Sequence, residues 1–151
     1  MKKFKFNLEN VLKYRESIEN SEKITLSVYN AKLAALVAEL DRLRGEHDKL
    51  VEDFEEKGKR GITTMEIHVI HAMTESLERT IERKIEEIDE QKRVVTRQTG
   101  IVVRATQDAK TIEKLKENKL KSYNKEERKQ NELFIEEFVS YQTTAALSNN
   151  I

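Results

Sequence analysis

From Leu26 the apolar residues keep a 4-3 rhythm through Tyr29, Leu33, Leu36, Leu40 and Leu43, and then through His47, Leu50 and Phe54. Four heptads in phase predict a helix supercoiled left-handedly with a partner, because an ideal helix drifts off a 3.5-residue repeat and must bend to keep one seam in contact. Upstream the seam continues through Leu8, Val11 or Leu12, and Ile18, with Arg15, Glu19 and Glu22 at seam-like positions. Those charges weaken the packing there and leave room for a binding role. Asn7 is the expected N-cap of this helix.

A second run of helical period passes through Ile67, Ile70, Met73, Leu77, Ile81, Ile85, Ile88, Val95, Val102, Ala105, Ala109, Ile112 and Leu115. Its soft stretch, Val94 to Thr106, is rich in β-branched residues and contains Gly100, which costs about 1 kcal/mol relative to Ala in a helix interior. The apolar residues there do not alternate, so a helix is predicted rather than a strand.

Between the two runs lies Lys57-Gly58-Lys59-Arg60-Gly61-Ile62-Thr63-Thr64-Met65-Glu66. Gly58 suits the left-handed position just past a helix end. Thr63-x-x-Glu66 has the form of a capping box, in which hydroxyl and carboxylate each satisfy an orphan backbone donor, and Ile62 and Ile67 fall at the positions of a hydrophobic staple. The expected fold is therefore all-α: one coiled-coil domain over residues 1–151, with a helix over about 7–57, a tip at 58–63 and a helix over about 64–145.

If the chain folds back at this tip, facing residues have numbers that sum to about 120. Leu50 then meets Ile70, Leu43 meets Leu77, Leu36 meets Ile85 or Lys84, Leu33 meets Ile88, Leu26 meets Val95, Ile18 meets Val102 and Leu8 meets Ile112. Apolar faces apolar, which predicts a long antiparallel two-helix coiled-coil hairpin within one chain, monomeric alone, although the same pattern would also serve an intermolecular bundle. At 1.5 Å per residue the first helix spans roughly 75 Å and the second roughly 120 Å. The second helix should overhang, first through the polar stretch Lys116 to Glu132 and then through Leu133, Phe134, Ile135, Phe138, Val139 and Tyr141. Such an end frays alone, since most helix stability comes from packing, so it reads as a segment awaiting a partner.

Composition agrees with long helices. There is no proline to break one, and 37% of residues are charged while 37% are hydrophobic. Formal charge is zero, with 28 basic and 28 acidic side chains, and the balance also holds over residues 1–57, 58–115 and 116–151. No segment concentrates positive charge as a nucleic-acid binder would. The absence of cysteine excludes disulfides and thiolate metal sites, and fits a reducing compartment. The start, Met1-Lys2-Lys3-Phe4-Lys5-Phe6, has no apolar stretch after it of the kind a signal peptide needs, and no run reaches membrane-spanning length. Phe4 and Phe6 are expected to pack across the second helix near Leu115.

No catalytic constellation emerges, and no cofactor is implied. Gly58-Lys59-Arg60-Gly61 lacks phosphate-loop spacing, and a two-helix rod offers no water-excluding pocket in which carboxylates would be perturbed. His68 and His71 are one turn apart and the fold-back register sets His47 opposite His71, so a zinc site is conceivable. Yet no fourth ligand is evident, and seam or surface histidines are the favoured reading.

Phe4-Lys5-Phe6-Asn7-Leu8-Glu9-Asn10-Val11-Leu12-Lys13-Tyr14-Arg15-Glu16, with Glu19 after it, resembles the opening of the flagellar export protein FliJ family. Glu113-Lys114-Leu115-Lys116 through Tyr123 to Glu136-Glu137 is similar to that family's charged C-terminal pattern, and length and hairpin layout agree across the chain. The resemblance implies a non-enzymatic adaptor of bacterial flagellar type III protein export. Such a protein binds the hexameric export ATPase in the manner of a rotary-ATPase central stalk. It also links the ATPase to the cytosolic domain of the membrane export gate protein and to export chaperones. It implies a cytoplasmic location, peripherally associated with the inner membrane at the flagellar base. Carried over by motif, Leu8, Leu12, Tyr14, Arg15, Glu16, Tyr123 and Glu137 would meet the ATPase, and Met73, Leu77 and Thr80 the export gate. The alternative is a self-associating structural coiled coil with no ATPase partner.

Overall fold

Two α-helices account for nearly all of the computed structural model, which describes residues 1–150. Helix α1 spans Glu9–Arg60 and helix α2 spans Thr64–Ser148, so the protein is an all-α helical hairpin. Helix α2 is continuous through Val94 to Thr106, where Thr96 and Thr99 donate their hydroxyls to the carbonyls of Lys92 and Val95. Those back-bonds keep the β-branched hydroxyls inside the helical pattern.

The helix ends correct two expectations. Helix α1 begins at Glu9, and Leu12 donates to the Leu8 carbonyl at 2.9 Å, so Leu8 occupies the N-cap position and Asn7 lies outside it. At the other end α1 runs through Gly58 to Arg60, and the residue with left-handed backbone is Gly61, at a φ of 98°. Lys57, Lys59 and Arg60 occupy the last turn, where cations complement the partial negative charge of the helix end, and Arg60 pairs with Glu56 one turn back at 3.2 Å. These contacts carry the helix past Gly58 to Arg60. The capping box forms as expected: Glu66 N–H donates to Thr63 Oγ1 at 3.2 Å and Thr63 N–H to Glu66 Oε2 at 3.3 Å. Gly61, Ile62 and Thr63 alone connect the helices.

By internal contacts the chain divides into two compact units, Asn20–Arg104 and a second made of Met1–Glu19 with α2 from Ala105 onward. In the first, α1 and α2 run antiparallel around Leu40, Leu43 and Ile88, which are buried. The register is held by polar groups within the seam. Gln91 donates to the Tyr29 carbonyl at 3.0 Å, and Gln98 donates to the Glu22 carbonyl at 3.1 Å and to its carboxylate. Both residue pairs sum to 120, as the fold-back requires. Toward the tip the seam opens, and every residue from Val51 to Gly61 is exposed.

In the other unit the buried residues are Phe6, Leu12, Ala105 and Ala109. Arg15 pairs with Asp108 at 3.3 Å, Glu9 with Lys116 at 2.8 Å, and Thr106 donates to Glu19 at 3.2 Å. Residues 1–8 lie along α2: the Tyr123 hydroxyl donates to the Lys2 carbonyl at 2.8 Å, and the Phe4 and Tyr123 rings are 5.6 Å apart. The aromatic lead-in therefore packs on α2, with Phe4 against Tyr123 and the buried Phe6 in a cleft with Lys116, next to Leu115 in the chain. Beyond Glu127 every described residue of α2 is exposed.

No described side chain is fully shielded from solvent. Two helices can cover only one stripe of each other, so the seam is thin and polar residues within it stay close to water.

Candidate partner-binding surfaces

The residues assigned by resemblance to an ATPase contact fall into two groups. Leu12 is buried at 5% exposure, Leu8 is half-buried, and Arg15 is engaged with Asp108. Tyr123 is held by Lys2 and Phe4. These four build the pairing of residues 1–19 with α2. Tyr14, at 64% exposure, Glu16 and Glu137 face solvent and are available to a partner.

Met73, Leu77 and Thr80 lie on one wall of an open groove of about 630 Å³, with Glu46, Lys49, Leu50 and Asp53 on the other. Their spacing of four and three residues puts them on one face of α2. Met73 is exposed, Leu77 and Thr80 are half-buried, and the Thr80 hydroxyl is turned back to the Ser76 carbonyl at 3.0 Å. The groove is therefore lined largely by apolar groups from α2 and Leu50, and its α1 wall carries charges of both signs. A second groove of about 310 Å³ shares Leu50, Asp53 and Met73 and extends to Met65 and Val69. Methionine at such a surface adapts to differently shaped partners because its side chain is unbranched and polarizable.

The histidines do not converge. His47 sits in the seam with Nε2 3.2 Å from Glu78, His71 pairs with Glu75 at 3.3 Å, and His68 is exposed. Among the described residues no group of three histidine or acidic side chains is placed to hold a metal ion. No described helix is long and apolar enough to cross a membrane.

Two features escape a survey of apolar positions. Gln91 and Gln98 are among the most buried residues of α2, at 5% and 6% exposure, and take seam positions seven residues apart. A strict heptad count, holding positions whatever their polarity, would have found them. The second feature is the terminal stretch of α2, where Leu133, Phe134, Ile135, Phe138, Val139, Tyr141 and Leu147 are all more than half exposed.

No curated protein and no solved structure matches the chain. A family model described as flagellar FliJ protein matches residues 4–147, which covers both helices, the connection and the packed lead-in. The chain belongs to the FliJ family of flagellar proteins.

Proposed function

We propose that this protein is a non-enzymatic coupling component of bacterial flagellar type III protein export. One end binds the export ATPase hexamer in the manner of a central stalk, and the tip-proximal groove meets the cytosolic domain of the membrane export gate protein. Export chaperones are further partners, and the site of action is the cytoplasmic face of the inner membrane at the flagellar base. The observation that carries this reading is the end of α2. Helix continues to Ser148 with every side chain beyond Glu127 exposed, several of them large and apolar, which supports a partner that covers it.

The groove lined by Met73, Leu77 and Thr80 supports the second contact, since its largely apolar lining and adaptable methionine suit a helix laid between α1 and α2. Purified export ATPase titrated with the full chain tests the proposal. Saturable binding and faster ATP hydrolysis are expected. Absence of both, with flagellar export unaffected by loss of the protein, would refute it.

A further inference from the structure

We infer that the end of α2 is an acidic plug whose acceptor on the ATPase is an apolar socket lined with basic side chains, enclosing the helix instead of covering one face. This rests on the proposed ATPase contact and adds the chemistry of the partner's side. Charge is the first argument. The balance over residues 116–151 hides a division: residues 116–129 carry six basic and three acidic side chains, whereas residues 130–150 carry Glu132, Glu136 and Glu137 and no base. The last turn of α2 has no basic residue either, so the partial negative charge of the helix end adds to the three carboxylates.

The second argument is the distribution of apolar side chains around the helix. Phe134, Phe138 and Tyr141 follow one stripe at spacings of four and three. Leu133 and Ile135 point roughly 100° to either side of Phe134, and Val139 roughly 100° from Phe138, as 3.6 residues per turn requires. All are at least half exposed. Apolar side chains thus cover about two-thirds of the circumference, and Glu132 and Glu136 lie roughly opposite Phe134, so a surround that satisfies this helix is apolar on most sides and basic on the remaining one.

A second copy of this chain does not meet both demands in one register. An antiparallel register that sets Phe138 against Phe138 covers only one stripe and gathers six carboxylates with no counter-charge. A register that sets Glu132, Glu136 and Glu137 against the basic stretch of the other copy puts the aromatic residues on lysines. An anionic lipid surface would repel the same carboxylates. A protein socket with apolar walls and basic groups satisfies both.

The test is binding of purified export ATPase to the full chain across a salt series, with helicity of each variant checked by circular dichroism. For Glu132→Lys/Glu136→Lys/Glu137→Lys, affinity at low salt falls about tenfold or more, and salt no longer weakens binding as it does for the parent. Phe134→Ser/Phe138→Ser and Ile135→Ser/Val139→Ser each weaken binding, since they lie on different sides of the helix. Equal binding by the triple lysine variant would overturn the basic lining, and loss confined to one serine pair would overturn the enclosure. No binding by the parent chain would overturn the ATPase contact itself, and the inference with it. A stable dimer dispersed by Phe138→Ser, or binding to vesicles containing anionic lipid, would also overturn it.

Discussion

Gly58 and Gly61 are three residues apart and take opposite roles. Gly58 lies inside α1 with open space where a methyl group would go, whereas Gly61 has a φ of 98°, which side-chain-bearing residues rarely adopt. Gly58→Ala is therefore expected to stabilise the protein by about 1 kcal/mol. Gly61→Ala is expected to cost about 1 kcal/mol. Urea denaturation followed by helix signal separates the two. Another local effect is pH-dependent. The hydrogen bond from Arg42 holds the Glu39 carboxyl below its usual range. A carboxylate depressed in the folded state contributes stability above its unfolded pKa and loses that contribution as pH falls through the folded value. Glu39→Gln should thus lower the urea midpoint slightly at neutral pH and leave it unchanged in strong acid. Both side chains are exposed, so the effect is small.

Within the paired helices, the seam is read most clearly through its polar members. Gln91 spends a buried amide on a carbonyl inside α1, and leucine of similar volume would remove that cost without leaving a buried partner unmade. Gln91→Leu is expected to raise stability by about 1 kcal/mol, measured by urea denaturation. Gln98→Leu should gain less, because Gln98 also serves the Glu22 carboxylate. Polar seam positions fix register at a cost in stability, which is a physical reason for their presence here. The hairpin and its register were legible in the sequence, since heptad phase and the Thr63–Glu66 box both depend on local spacing alone. The glutamines and the Gly61 turn were less legible. The first are hidden by their polarity, and the choice between two glycines depends on how far the charged last turn of α1 holds.

For the whole chain, the exposed end of α2 separates folding from function. The described residues beyond Lys129 bury no side chain, so removing this end should leave the unfolding free energy within about 0.5 kcal/mol of the parent, as for surface changes generally. The same truncation should abolish stimulation of the export ATPase, measured as ATP hydrolysis. Periodicity, absence of proline and the capping residues determined two long helices, their fold-back and an unpaired end, because each follows from backbone geometry within a few turns. Tertiary structure alone decided which sequence motifs remain on offer. Leu12, Arg15 and Tyr123 are taken up by packing, an ion pair and the Lys2 carbonyl, while Tyr14, Glu16 and Glu137 stay in solvent. Whether a side chain is consumed by its own fold depends on what lies across the seam, often a hundred residues away, and local spacing carries no record of it.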